Sequence, residues 1–317
     1  MKIIVLEADA VGKDMSYEGY SKFGELEIYG NLPQDKVKET IEDAEIIVSN
    51  KLLINESVLA GSKVRMIAEA ATGYNNIDVE YCKNVGIRVA NVAGYSTDSV
   101  AQHTVALLLS VYEKLSYYND FVKSGKYAAS GTFCHVENYF HEIAGKTWGI
   151  VGLGAIGRAT AKLAKAFGAK VIYYSASGNT YDVDYEAVDF DTLLATSDII
   201  SVHCPLTDKT NGLFDAEAFH KMKSSAVLVN VARGPIVSAK ALVEALNNNE
   251  IMAAGLDVFE VEPMTADNPL QTFKDDSRLI LTPHIGWGTV EARQRLIDEV
   301  ELNIQAFLDG KERNVIV

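Results

Sequence analysis

Three residues suited to acid–base and carboxylate chemistry each follow a short apolar run. Arg233 comes after Ala226–Asn230, in Val231-Ala232-Arg233-Gly234-Pro235. Glu262 closes Asp257-Val258-Phe259-Glu260-Val261-Glu262, after Met252–Leu256. His284 comes after Leu279–Thr282, in Pro283-His284-Ile285-Gly286-Trp287. Arginine offers a planar fork of donors that holds a carboxylate or polarises a carbonyl. Histidine exchanges protons near neutral pH, and a carboxylate beside it favours its charged form. Taken singly, an Arg in a turn is usually a surface charge and a His in a loop more often structural than catalytic. Their common position after strand-like runs points to function, provided the fold brings them to one place.

A second chemical feature is Gly152-Leu153-Gly154-Ala155-Ile156-Gly157. The apolar run Thr147–Val151 precedes it, and Arg158–Gly168 follows with Ala161, Leu163, Ala164 and Phe167 at helical spacing. Strand, G-x-G-x-x-G, helix is the context in which this motif holds a dinucleotide pyrophosphate. The helix N-terminus then offers free N–H groups and a positive dipole end. The plainer reading is a tight turn with no ligand, and both flanks weigh against it. The next strand-like run, Lys170–Tyr174, leads into Ser175-Ala176-Ser177-Gly178-Asn179, where an acid would favour NAD and a base NADP. Neither is present. No Lys or Arg occurs from Val171 to Tyr185, which argues against a 2′-phosphate and for NAD.

These residues need elements to position them. Strand-like and helix-like segments alternate through the first ninety or so residues. The strands are expected at Ile3–Leu6, Leu26–Tyr29, Glu45–Val48, Val64–Ala68 and Arg88–Val92; the helices at Gln34–Ile41, Glu56–Ala60 and Asp78–Asn84. Such alternation implies a parallel sheet with covering helices. A long apolar helix is expected at Ser99–Leu115, followed by a polar and aromatic stretch, Ser116–Gly145. A second alternation begins at Lys146, with six strands: Thr147–Val151, Lys170–Tyr174, Ile199–His203, Ala226–Asn230, Met252–Leu256 and Leu279–Thr282. The amphipathic run Val290–Leu308 is expected to return to the first domain. The fold class is thus α/β, with two doubly wound parallel sheets. One is a Rossmann dinucleotide domain at 99–287. The other, of flavodoxin type, is built from 1–98 and 288–317, with a cleft between the two.

The 317 residues, 48% of them hydrophobic, suffice for two cores. The net charge of −14 speaks against a nucleic-acid partner. No apolar run reaches the length of a bilayer span. Cys82, Cys134 and Cys204 are odd in number and widely spaced. They read as free thiols of a cytoplasmic protein, with no metal site. Nucleophilic hydrolysis finds no G-x-S-x-G to support it. Of the other histidines, His103 reads as packed or near a hinge. His135 and His141 fall in the polar middle segment, His220 on an exposed helix face, and His203 on the adenosine side of a cofactor.

The segments Trp148–Gly157, Leu193–Phe219, Met222–Leu246, Gly255–Pro263 and Thr282–Trp287 together resemble the D-isomer-specific 2-hydroxyacid dehydrogenases. Ala70–Asp78, Gly94–Leu109, Ala266–Leu270 and Thr282–Ala306 are most similar to the glycerate dehydrogenases, or hydroxypyruvate reductases, of that family. The resemblance implies that Arg233 binds substrate, that Glu262 supports the His, and that His284 is the general acid/base. It implies that Thr72 and Gly73 hold the substrate carboxylate through backbone N–H groups. Gly152, Gly154, Ala155, Ile156 and Gly157 would hold the pyrophosphate. Thr104, Val231 and Asp257 would line the nicotinamide side, and His203 and Pro205 the adenosine side. Ser175 stands where many NAD-using members carry Asp, and Gln102 where many have Glu; the first leaves NADP open. The resemblance also implies a homodimer formed through Ser116–Gly145, and no extra regulatory domain. The readings left open are a D-lactate-type or short phosphoglycerate-type dehydrogenase, and a dinucleotide-sensing protein without turnover.

Overall fold

A computed structural model describes residues 1–179, 181, 183–275 and 277–317. The chain divides into two compact units, residues 1–96 with 288–317, and residues 97–287.

In the first unit, the described residues form five parallel strands: β1 (Lys2–Val5), β2 (Glu25–Ile28), β3 (Ile46–Ser49), β4 (Met66–Glu69) and β5 (Arg88–Ala90). Their order is β2-β1-β3-β4-β5, so the winding reverses between β1 and β3. The central strands β3 and β4 are buried at every residue, as expected of a parallel sheet covered on both faces. The expected helix at Gln34–Ile41 is instead a 3₁₀ turn, Gln34–Lys36, followed by one α turn, Val37–Thr40. The short helical segments Ala8–Val11 and Glu18–Phe23 were not foreseen. Neither is long enough to show a period.

The helix Val290–Leu308 belongs to this unit. Thr289 caps it, accepting from the Ala292 N–H, and Leu296, Ile297, Val300 and Ile304 form its buried stripe. Tyr20 Oη donates to the Ile297 carbonyl (3.0 Å), and Asn303 Nδ2 to the Asn91 carbonyl (3.0 Å). At the carboxyl end of β1, Glu7 is buried, and its carboxylate gathers the backbone N–H groups of Asn50, Lys51 and Leu52 at 2.8–3.1 Å. Those three donors follow β3 directly. Without Glu7 they would be buried or half-buried donors lacking a partner.

The second unit holds a sheet of order β12-β11-β10-β9-β6-β7-β8. Its strands are β6 (Thr147–Val151), β7 (Lys170–Tyr174), β8 (Glu186–Ala187), β9 (Ile199–Val202), β10 (Val227–Asn230), β11 (Ala253–Leu256) and β12 (Leu279–Leu281). All pairings are parallel, and the winding reverses between β6 and β9. Among the described residues the sheet has seven strands, not the six expected. The extra strand, β8, is two exposed residues with no apolar pattern to reveal it. Trp148 is fully buried, and its Nε1 donates to Ser201 Oγ (2.9 Å), joining β6 to β9 by side chains as well as backbone.

The helix expected at Ser99–Leu115 spans Thr97–Tyr112 and stops before Lys114, which has φ +53°. The stretch Ser116–Gly145 is not one long loop: helices Leu115–Lys123 and Lys126–Ser130 occupy part of it. Phe121 stacks on the His135 ring at 3.9 Å, and Tyr117 Oη lies 2.8 Å from His135 Nε2. Aromatic contact, rather than an apolar core, orders this segment.

Glu7→Gln leaves one carbonyl oxygen where two carboxylate oxygens stood. Hydrogen bonds to a charged acceptor contribute about 1.5–3 kcal/mol. Amide exchange at Asn50, Lys51 and Leu52 should therefore quicken by roughly ten- to a hundredfold. Unchanged protection at these three amides would show the clamp to be idle.

Candidate active site

The residues predicted from strand ends converge in the second unit. His284 lies just beyond β12. Its N–H is shared between the Asp257 carbonyl (2.8 Å) and the Thr282 carbonyl (3.0 Å), and its φ is +55°. That region is unusual for a residue with a Cβ and persists only where neighbouring bonds enforce it. Asp257, two percent exposed, supplies them. Its Oδ1 accepts from Thr282 Oγ1 (2.6 Å) and the Ile285 N–H (2.8 Å), and its Oδ2 from the Gly286 N–H (2.7 Å). Burial pushes the Asp257 carboxyl up. The donors His103, Thr282, Gly286 and Ile285 outweigh burial and hold it below the usual carboxylate range. Asp257 is therefore an ionised anchor for the loop that carries His284.

His284 Nδ1 lies 2.6 Å from Glu262 Oε2. The other oxygen, Oε1, accepts from the Phe259 N–H (2.8 Å), which fixes the carboxylate plane. Burial pushes Glu262 up, but the bonds from His284 and Phe259 and the charges of His284 and Arg233 hold it below the usual range. An ionised carboxylate only accepts, so His284 Nδ1 carries the hydrogen of this bond. Nε2 is the ring nitrogen that this bond leaves free for other chemistry.

Arg233 is exposed, and its Nη1 donates to the Ala232 carbonyl (2.8 Å). Its turn is built by Asn230, fully buried, which accepts from the Ala232 N–H and donates to the Arg233 carbonyl, both at 3.0 Å. Sequence reading passed over Asn230, although a polar residue closing a buried strand is the signal that finds it. The turn packs against the loop of Glu262 so closely that a Cβ on Gly234 would lie 1.8 Å from the Phe259 carbonyl carbon. Glu260 is exposed and accepts from the Ala239 N–H (2.9 Å), at the start of helix Ala239–Asn247.

At the β6 end, Gly152 has φ +92°, and a Cβ there would meet the Cys204 backbone nitrogen at 2.6 Å. A Cβ on Gly157 would lie 2.1 Å from the Gly152 carbonyl oxygen. Gly154 is exposed, with no atom within 4 Å of where its Cβ would be. It is the N-cap of helix Ala155–Ala166 and brings no side-chain cap. The first-turn N–H groups thus face open space past Gly154, Ala155 and Ile156, the room and donors a pyrophosphate needs. The residues present fit a dinucleotide.

Around that loop, Ser175 Oγ lies 3.2 Å from Ser177 Oγ beyond β7, with Thr180 and Asp182 outside the described residues. Pro205 is exposed. His203 Nε2 lies 3.0 Å from Ser201 Oγ, and burial pushes its pKa down to about 3, so the ring is neutral. Val231 and Thr104 are buried. Thr104 is fully so, and its hydroxyl donates to the Val100 carbonyl one turn earlier in its helix (2.8 Å). In the first unit, Thr72 and Gly73 lie in the loop after β4. Thr72 Oγ1 donates to the Val92 carbonyl (2.9 Å), and Asn91 Nδ2 to the Thr72 carbonyl (2.7 Å). Among the described residues no cluster of three His, Cys, Asp or Glu is placed to hold a metal.

Gly157→Ala must push the Gly152 carbonyl out of the turn. NADH binding, read by its fluorescence, should weaken by at least about tenfold, equivalent to 1.4 kcal/mol. Wild-type affinity would show that the close approach does not shape the site.

The family described as "D-isomer specific 2-hydroxyacid dehydrogenase, NAD binding domain" matches residues 105–286. A hydroxypyruvate reductase of Blautia hydrogenotrophica is 38% identical, over 100% of this chain and 99% of its own. A glycerate dehydrogenase of Methylorubrum extorquens is 37% identical, over 89% of this chain and 88% of its own. The structure of a D-lactate dehydrogenase from Aquifex aeolicus, complexed with NAD and lactic acid, superposes with a TM-score of 0.80 at 28% identity, covering 98% and 96% of the two chains. With this sheet order, glycine turn and His–Glu pair, the chain belongs to the D-isomer-specific 2-hydroxyacid dehydrogenases, oxidoreductases with an NAD-binding domain.

Proposed function

We propose that this protein reduces a small 2-oxo acid, hydroxypyruvate foremost, to the D-2-hydroxy acid with NADH. The observation that carries the reading is the 2.6 Å pairing of His284 Nδ1 with Glu262, with the Arg233 charge beside it. The names of the similar hydroxypyruvate reductase and glycerate dehydrogenase support the choice of substrate.

When bound, the nicotinamide supplies the hydride. The chain's own residues do the rest. Arg233 turns its free donors to the 2-oxo acid, holding it and polarising its carbonyl. His284 donates the Nε2 proton to the carbonyl oxygen. Glu262 keeps the ring oriented and favours its charged form. Backbone N–H groups of Thr72 and Gly73 bind the substrate carboxylate. Gly152–Gly157 hold the pyrophosphate, Ser175 the ribose, and His203 and Pro205 line the adenosine side. NAD is preferred over NADP, because no Lys or Arg lies between Val171 and Tyr185 to receive a 2′-phosphate.

The protein is a homodimer in this reading. Phe133 is 94% exposed and Tyr139 76%, on the 115–145 segment, and exposed aromatics of this kind mark interfaces. Its three free cysteines support a cytoplasmic location.

Turnover of hydroxypyruvate, glyoxylate, pyruvate and phosphohydroxypyruvate with NADH and with NADPH tests the assignment; no turnover of any would end it. His284→Gln should cost roughly 10²–10⁴-fold in kcat while NADH still binds. Glu262 is ionised above its depressed pKa, so across the working pH range Glu262→Gln removes a negative charge from the imidazolium. The alkaline limb of the kcat/KM profile should then move to lower pH, and an unmoved limb would leave Glu262 a packing role. Sedimentation at micromolar concentration should give twice the chain mass; a monomer refutes the dimer.

A further inference from the structure

We propose that His103, outside the reacting trio, is the positioning residue that keeps the His284 loop in its working shape. The inference rests on His284 being the proton donor. Its starting point is helix Thr97–Tyr112, which presents Ser99 and His103 on one face, four residues apart. Ser99 Oγ donates to the Gly286 carbonyl (2.6 Å). His103 Nε2 lies 3.0 Å from Thr282 Oγ1 and 3.3 Å from Asp257 Oδ1. Both side chains therefore seize the segment on either side of His284.

The hydrogen bookkeeping fixes the His103 tautomer. Thr282 has one hydroxyl hydrogen, and it goes to Asp257 Oδ1 at 2.6 Å. Toward His103 the Thr282 oxygen can only accept. Nε2 of His103 therefore carries a hydrogen, shared between Thr282 Oγ1 and Asp257 Oδ1. This donor aims Thr282 at Asp257 and holds Asp257 where its oxygens meet the Ile285 and Gly286 N–H groups. Those are the two residues after His284, whose φ of +55° needs such restraint. The packing leaves no slack. A Cβ on Gly286 would lie 2.9 Å from Asp257 Oδ2 and 3.3 Å from His103 Cδ2. The path is His103 to Thr282 and Asp257, then to the loop backbone, then to the His284 ring. His103 touches neither His284 nor Glu262 through any of these bonds.

The test pairs His103→Leu, which has no donor, with His103→Gln, whose amide can donate from the Nε2 position. A misplacement of about 1 Å costs about 10²-fold in rate. His103→Leu should lose roughly 10- to 100-fold in kcat with hydroxypyruvate, with NADH affinity little changed, and the Ile285 and Gly286 amides should lose exchange protection. His103→Gln should recover most of the rate and the protection. A role in packing alone predicts that both variants fall together, and that result overturns the proposal, as does wild-type turnover in His103→Leu. If His103→Leu does not fold, Thr282→Val breaks the same path, and its undiminished kcat overturns the proposal. Nitrogen-15 NMR of the wild-type ring reports the tautomer without catalysis: hydrogen on Nε2 supports the path, and a neutral ring with hydrogen on Nδ1 alone overturns it. Full activity in His284→Gln would instead remove the proton donor, a failure these amide and tautomer readouts separate from that of His103.

Discussion

The buried Asp257 carboxylate is the interaction on which the reactive end of the second unit depends. Parallel strands end in backbone N–H groups that have no next strand residue to pair with, and burial forbids leaving them bare. Asp257 accepts from two such N–H groups and one hydroxyl, and those bonds hold it ionised against its own desolvation. One carboxylate thus turns the loop after β12 into a rigid mount for His284. Gly286 and Ser99 complete the mount, one by having no side chain and the other by binding its carbonyl.

The first unit uses the same device with different residues. Glu7, at the end of β1, collects the N–H groups of Asn50, Lys51 and Leu52 after β3. In both units a buried acid organises backbone at the carboxyl ends of parallel strands, where open α/β sheets bind their ligands. These two acids differ from Glu262. Asp257 and Glu7 spend their oxygens on fixed backbone N–H groups and on neighbouring side-chain donors, and so hold loops in place. Glu262 spends one oxygen on the Phe259 N–H and keeps the other for the His284 imidazole. A carboxylate held on one side by backbone and on the other by a histidine fixes that ring's orientation, and its depressed pKa keeps it charged beside the ring.

Local features were legible in the sequence because their causes are local. The glycine turn at 152–157 needs a positive φ at Gly152 and a carbonyl packed against Gly157, which only glycine meets, and it leaves the helix N-terminus open at Gly154 within six residues. Most long strands and the helix Val290–Leu308 follow from apolar period and capping residues, and the chain's acidity and length bounded its class. Arg233, Glu262 and His284 were nominated because each follows a strand, a property of the order of residues.

Tertiary structure decided what those residues touch. The Glu262–His284 pair spans 22 positions in sequence, and its 2.6 Å bond exists because β11 and β12 are neighbours in the sheet. Sequence places Asp257 at a strand end; only the fold shows that its oxygens are engaged by the His284 loop. Sequence could not assign His103, whose partners lie 154 and 179 positions away, just beyond two strands that a single helix covers. The two-residue strand β8 escaped notice because its backbone bonds, not its side chains, define it. Periodicity and turn chemistry act over a few residues and are written in order. Hydrogen-bond partners of buried polar groups are chosen by which strand ends the sheet brings side by side, and that choice is made only when the chain has folded.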